Sequence, residues 1–243
     1  MNPIRRHLLA LMTLLPLCLS APAHADDVIR VGTDATFPPF EYVENGKQVG
    51  FDTELIEAIG KTLGKKVEWT QIDFKGLIPG LIARRFDVAA SAIYITDDRK
   101  KVVDFTEPYY PGGLVIMTRK DEARIDGPES LKGMKVAVQV GTKSVSYLKQ
   151  NYPGVELVEV EKNQEMFQLV EIGRADAAVT GKPAAKLYAR ARGTLKVVDK
   201  QLTVEEYGYA IRKDQPELVK QFNEALGKLK ADGTYQQLVD KYL

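Results

Sequence analysis

Arg99 closes the stretch 91–99, Ser-Ala-Ile-Tyr-Ile-Thr-Asp-Asp-Arg, and its chemistry is that of an anion grip. A guanidinium is permanently charged, planar and forked, which matches the two oxygens of a carboxylate. Residues 86–90 ahead of it, apolar apart from Asp87, read as a buried strand; Thr96-Asp97-Asp98-Arg99-Lys100-Lys101 reads as a capped helix start. A strand that feeds a helix N-terminus offers a ligand free backbone N–H groups and a positive dipole end. The ordinary alternative is that Arg99 pairs with Asp97, Asp98 or Asp104 on a solvated helix face.

Other chemistries are removed by residue type. The single cysteine, Cys18, and both histidines, His7 and His24, lie within residues 1–25. That segment reads as a secretory signal peptide: Arg5 and Arg6 give a positive start, 8–19 an apolar core, and Ala23-His24-Ala25 a small-x-small cleavage site. It is too short to span a membrane, and Leu17 ahead of Cys18 does not suit a lipoprotein signal. The remaining 218 residues hold no thiol or imidazole, which excludes Cys- or Ser–His nucleophiles and His/Cys metal sites. No Asp-x-Asp-x-Asp-Gly calcium loop is present, and no cofactor is expected. Loss of Arg5 and Arg6 moves the formal charge from +1 to −1, with 32 basic against 33 acidic residues. Such a balance gives no general attraction for nucleic acid or membrane.

The frame that must position Arg99 is α/β. Residues 28–33 read as a strand, and Asp34-Ala35-Thr36-Phe37-Pro38-Pro39-Phe40 as a loop, because two prolines fix φ and remove donors. Residues 41–51 turn over Asn45-Gly46 as a hairpin. Asp52 reads as the cap of a helix with Leu55, Ile56, Ile59 and Leu63 on one face and Gly64 as its stop. Strands at 67–72 and 86–90 flank a short helix at 77–83, so the sheet is expected to be mostly parallel. Further strands fall at 114–117, 134–140, 155–160, 177–180 and 195–198. Between them lie helices opened by Gly141-Thr142-Lys143-Ser144, carried by Met166, Leu169, Val170 and Ile172, and started at Pro183. Arg85-Phe86-Asp87-Val88-Ala89 resembles Arg174-Ala175-Asp176-Ala177-Ala178, 89 residues on, which suggests two similar lobes. Extended crossings near 106–113 and 203–207, a strand at 208–211 and helices at 217–230 and 235–243 complete the chain. The expected division is 26–109 plus 208–243 as a large lobe and 110–207 as a small one, joined as a hinge-closing clamp.

Taken in order, Gly32-Thr33-Asp34-Ala35-Thr36-Phe37-Pro38-Pro39-Phe40-Glu41, Gly50-Phe51-Asp52, Ile95 to Lys101 with Asp104-Phe105-Thr106, Tyr109-Tyr110, Gly141-Thr142 and Asp232-Gly233-Thr234-Tyr235 resemble the periplasmic solute-binding proteins of polar amino-acid ABC importers (family 3, glutamine-binding-protein-like). The resemblance covers nearly all of 27–243. It implies a type II periplasmic binding fold: two α/β lobes, two hinge strands and a ligand closed between them. Arg99 resembles the arginine that forks the ligand carboxylate, and the backbone at Thr142 and Lys143 its second clamp. Phe37 and Phe74 resemble aromatic walls, Asp34 the acidic residue that meets a polar or basic end, and the Ala92 carbonyl an ammonium acceptor. Gln139 and Thr180, near the ends of their strands, complete the candidate ligand set with Tyr94 and Gly181.

Three positions depart from that family. Tyr94 stands where a small hydroxyl residue is usual, Lys143 where a small or hydroxyl residue is usual, and Gly181 where an aspartate usually pairs the ligand ammonium. An ammonium buried without its carboxylate costs about 3–5 kcal/mol. Either Asp34 takes over the ammonium or the ligand lacks an ordinary one. Lys143 and Lys182 add positive charge and tilt the ligand toward extra negative charge, such as a dicarboxylate; their ordinary reading is as solvated helix ends.

The resemblance implies a periplasmic, monomeric component of an importer that binds a small amino-acid-like solute and hands it to a separate membrane permease with its ATPase. Two other classes remain: an enzyme on the same clamp resembling cyclohexadienyl dehydratases, which would need a cleft acid of raised pKa, and a sensor that signals through a membrane receptor.

Overall fold

The computed structural model describes residues 28–243; the signal-peptide reading of 1–25 lies outside the described residues. The first lobe carries β1 (Val28–Thr33), β2 (Thr36–Phe37), β3 (Glu41–Glu44), β4 (Lys47–Val49), α1 (Phe51–Leu63), β5 (Lys66–Gln71), α2 (Leu77–Ile82), β6 (Val88–Ala89), α3 (Asp97–Lys100) and β7 (Val103–Phe105). The chain crosses through β8 (Tyr110–Pro111) to β9 (Leu114–Arg119), β10 (Lys135–Gln139), α4 (Lys143–Asn151), β11 (Glu156–Val160), α5 (Asn163–Glu171), β12 (Ala177–Gly181), α6 (Lys182–Arg192) and β13 (Leu195–Val197). It returns through β14 (Glu206–Tyr207) to β15 (Ala210–Arg212), α7 (Pro216–Ala231) and α8 (Thr234–Tyr242).

These strands form two five-stranded sheets of matching design, ordered β5-β1-β6-β15-β7 and β11-β10-β12-β9-β13. In each, four strands run one way and one runs against them: β15 in the first, β9 in the second. Each reversed strand is the one by which the chain enters its lobe from a crossing, so the exception to the mostly parallel expectation follows from the connection. The crossings themselves pair antiparallel, Tyr207 opposite Tyr110.

The short internal likeness has a physical basis. Asp87 accepts from the backbone N–H of Arg30 (3.3 Å) while its own N–H donates to the Arg30 carbonyl (2.8 Å). Asp176 does the same with Lys135, at 2.9 and 2.7 Å. Each aspartate anchors the strand that follows it to the start of the lobe's first parallel strand, and each has an arginine partner, Arg30 in one and Arg124 in the other.

Helix α1 buries Leu55, Ile56 and Ile59, as its spacing requires, and ends at Gly64 in the left-handed region. Its start differs from expectation. Gly50, at φ 122°, is the N-cap, and Asp52 points inward, where it accepts from the Ala92 N–H and the Tyr109 hydroxyl, each at 2.8 Å. The loop at 34–40 also holds a short strand: Thr36 and Phe37 pair with Tyr42 and Glu41, and the prolines form only the turn between. Helix α7 packs Phe222, Ala225, Leu226 and Leu229 into the first lobe, and the Tyr235 hydroxyl of α8 donates to the Tyr109 carbonyl.

A Cβ at Gly50 would run into the Phe40 carbonyl, and its φ lies where side chains are strained. Gly50→Ala is therefore expected to destabilise the protein by about 1–3 kcal/mol. Urea unfolding measures this, and an unchanged midpoint would contradict it.

Candidate functional site

Strand ends and helix starts from both lobes meet at one cavity. All eleven candidates from the sequence line it: Asp34, Phe37, Phe74, Ala92, Tyr94 and Arg99 from the first lobe, and Gln139, Thr142, Lys143, Thr180 and Gly181 from the second. Asp34 follows β1, Ala92 and Tyr94 follow β6, and Arg99 sits in α3, where the Thr96 hydroxyl caps the helix by accepting from the Arg99 N–H (3.3 Å). Gln139 ends β10, Thr142 is the N-cap of α4, and Gly181 ends β12.

Arg99 is half-buried, with its guanidinium in the cleft. It donates to the Tyr94 carbonyl (2.8 Å) and, across the cleft, to the Gly141 carbonyl (3.2 Å). Its carbon lies 5.6 Å from the centre of the Phe74 ring. No carboxylate among the described residues pairs with it; Asp98 pairs with Lys101 and Asp104 with Lys213. Desolvation brings its pKa down to about 10, opposed by the charge of Glu205, so it remains a cation at neutral pH. Two of its five N–H groups are occupied, and the rest can fork an anion. Helix α4 begins beside it with no side chain bonded over its first-turn amides. The Lys143 ammonium lies 3.9 Å from Glu205, a loose pair.

Asp34 is fully engaged. One oxygen accepts from the Thr36 hydroxyl (2.9 Å) and the Lys162 ammonium (3.2 Å), the other from the Phe74 N–H (3.2 Å) and the Gln139 amide (2.8 Å). A carboxylate has about four acceptor positions, and these are filled. Two of the donors, Gln139 and Lys162, come from the second lobe, so Asp34 acts as a latch between lobes. Gln139 uses its second hydrogen on the Glu161 carbonyl (2.9 Å) and its oxygen on Asn163 (2.6 Å). Lys162 also bridges to Asp73 at 2.7 Å.

Tyr94 and Gly181 are two halves of one change. The Tyr94 ring stacks on Tyr207 at 4.4 Å, and its oxygen accepts from the Tyr207 hydroxyl (2.9 Å) and the Gly113 N–H (3.0 Å). A Cβ at Gly181 would strike the Tyr207 hydroxyl and come to 3.2 Å from the Tyr94 oxygen. Burial pushes the Tyr94 phenol up to about 12, so it is a neutral hydroxyl. Lys182, expected to add charge to the cleft, is not among the cavity-lining residues; as the first residue of α6 it turns away and donates to Gln201 (2.8 Å).

Ala92 adopts φ 42°, an uncommon conformation for a side-chain-bearing residue. Its N–H is fixed by Asp52, and Ser91 beside it donates to Glu41 (2.8 Å). Glu41 and Asp52 are wholly buried, and the remaining oxygen of each, Glu41 Oε2 and Asp52 Oδ1, has no partner as an acceptor. A proton shared between them satisfies both. Burial, with each other's charge, raises Glu41 well above its ordinary value, and burial raises Asp52 to about 7. The pair therefore keeps one proton through neutral pH and supports the Ser91–Ala92 turn from behind.

The cavity also contains Ser91, Leu114, Ser144, Asn163, Val179 and Tyr207, which the sequence reading did not select. Asn163 begins α5 immediately after β11. Applying the strand-end rule to every strand would have found it, together with Lys162.

Residues 29–243 match the model of bacterial extracellular solute-binding proteins, family 3. The L-cystine-binding protein TcyJ of Escherichia coli is 33% identical over 217 residues, covering 88% of this chain and 82% of that protein. The L-arginine-binding protein of Pseudomonas aeruginosa is 36% identical over 250 residues, covering 96% and 95%. Among solved structures, the ancestral amino acid-binding protein AncCDT-1, a precursor of cyclohexadienyl dehydratase, is 43% identical with a TM-score of 0.84, covering 89% of this chain and 96% of that one.

Because the folded Glu41–Asp52 pair holds a proton that the unfolded chain releases near pH 4, its contribution is present at acid pH and is lost as pH rises toward and beyond about 7. Stability from this pair should fall between pH 5 and 8, by at most about 1.4 kcal/mol per pH unit for each proton the folded pair retains. Glu41→Gln, which donates to Asp52 without titrating, should flatten that slope. Thermal unfolding across this range checks it, and an unaltered slope in the variant would contradict the shared proton.

Proposed function

The chain belongs to the bacterial extracellular solute-binding proteins of family 3, and from that premise we propose that its cleft captures a small amino-acid-like carboxylate and delivers it to a separate membrane permease driven by an ATPase. The observation that carries this reading is Arg99: a cation inside the cleft, held by one carbonyl from each lobe, with N–H groups left over and no carboxylate paired with it among the described residues. The α4 amides and Lys143 add to the same positive field. In this reading 26–109 with 208–243 form the large lobe and 110–207 the small one. Residues 1–25 direct export to the periplasm, and the protein works as a monomer. The lobes close because bound anion stabilises the closed arrangement over the open one.

The relation to a dehydratase precursor raises turnover as a second reading. The carboxyls with strongly raised pKa, Glu41 and Asp52, stand behind Ser91 and Ala92 and do not line the cavity. A general acid must reach the proton it transfers, so binding without turnover is favoured.

A closing solute at a hundredfold its Kd should stabilise the protein by about 2.7 kcal/mol. In a thermal-shift screen of amino acids and their deaminated analogues, Arg99→Ala should abolish the largest shift, with about a hundredfold or greater loss of affinity. An Arg99→Ala protein that keeps the shift would refute the proposed grip.

A further inference from the structure

We infer that the cavity takes a small carboxylate that carries no free ammonium group, such as a deaminated or N-acylated amino acid or a plain dicarboxylate. This rests on the solute-binding reading and narrows it.

Among the described residues one carboxylate lines the cavity, Asp34, and its four acceptor positions are taken by Thr36, Phe74, Gln139 and Lys162. Its charge is answered by Lys162. The acids behind the wall, Glu41 and Asp52, accept from Ser91, Ala92 and Tyr109 and turn their remaining oxygens to each other. Glu205 lies outside the lining and faces Lys143. Gly181 leaves no opening for an acidic replacement, because the Tyr207 and Tyr94 hydroxyls already fill the space a side chain would enter.

What remains is mostly donors. Arg99 has three unused N–H groups, α4 its first-turn amides, and Lys143 a loosely held ammonium. The Tyr94 oxygen accepts two hydrogen bonds, from Tyr207 and Gly113, so a hydroxyl with two lone pairs is left with only its hydrogen to give. An anion meets complementary partners here. An ammonium would be desolvated beside two cations, with only neutral hydroxyl and carbonyl oxygens to receive it.

Isothermal titration of purified protein, unfolded and refolded to release any carried solute, tests this with matched pairs: glutarate and L-glutamate, succinate and L-aspartate, 3-phenylpropanoate and L-phenylalanine, 5-guanidinopentanoate and L-arginine. The expected result is that the tightest binder lacks the ammonium and exceeds its amino partner at least tenfold. An amino acid that matches or beats its deaminated partner overturns the inference and leaves the solute-binding reading intact. Binding by none of the eight also overturns it. The broader reading then depends on whether denaturing natively purified protein releases a small molecule detectable by mass spectrometry. In a second arm, Tyr94→Ser and Tyr207→Phe together with Gly181→Asp open the wall and install a carboxylate, which should shift preference toward the ammonium-bearing partner at least tenfold. An unchanged preference in a folded triple variant overturns the inference; if the variant does not fold, the wild-type pairs still decide it.

Discussion

A guanidinium inside a cleft, paired with no carboxylate among the described residues, is the constraint from which the site follows. Arg99 has lost part of its water, and two carbonyls compensate only part of its charge. One of those carbonyls, Tyr94, belongs to its own lobe, and the other, Gly141, to the opposite lobe. An anion between them satisfies the cation best when the lobes are together. In the proposed reading, closure and recognition are one electrostatic event, and the short α4 entry at Gly141 to Lys143 is the second lobe's share of it.

The remaining charges serve geometry. Asp34 spans the cleft through Lys162 and Gln139, which fixes how closely the lobes approach. Glu41 and Asp52 hold the turn at Ser91 and Ala92 from inside the first lobe, and that turn sets the position of Tyr94. Buried aromatic rings fill the space between these polar groups: Tyr109 stacks on Tyr209 and Tyr94 on Tyr207, each at 4.4 Å. Because Tyr207 lies in a crossing strand, the wall beside Gly181 is tied to the hinge itself.

Local patterns carried much of this architecture. Alternating runs gave the strands, the α1 stripe its buried face, and Thr96 the cap that places Arg99. Arg99 is legible from a strand that feeds a capped helix start, whereas Asp34, Phe37, Phe74, Ala92, Thr142 and Lys143 follow from the resemblance of their surrounding motifs to the solute-binding family. Partnerships between distant residues were not legible. Asp52 has the local signature of a helix cap, but its partners, Ala92 and Tyr109, lie 40 and 57 residues away. Asp34 looked free to meet a ligand because Gln139 and Lys162, which occupy it, are 105 and 128 residues distant. Gly181 read as an isolated loss, whereas Tyr94 and Tyr207 occupy the space it vacates.

The most direct measurement is a crystal structure of the protein with the solute that stabilises it most. One carboxylate of that solute is expected within hydrogen-bonding distance of the Arg99 guanidinium and the first-turn amides of α4, with the lobes closed over it. A solute bound with its carboxylate away from Arg99, or outside the cleft, would contradict the account.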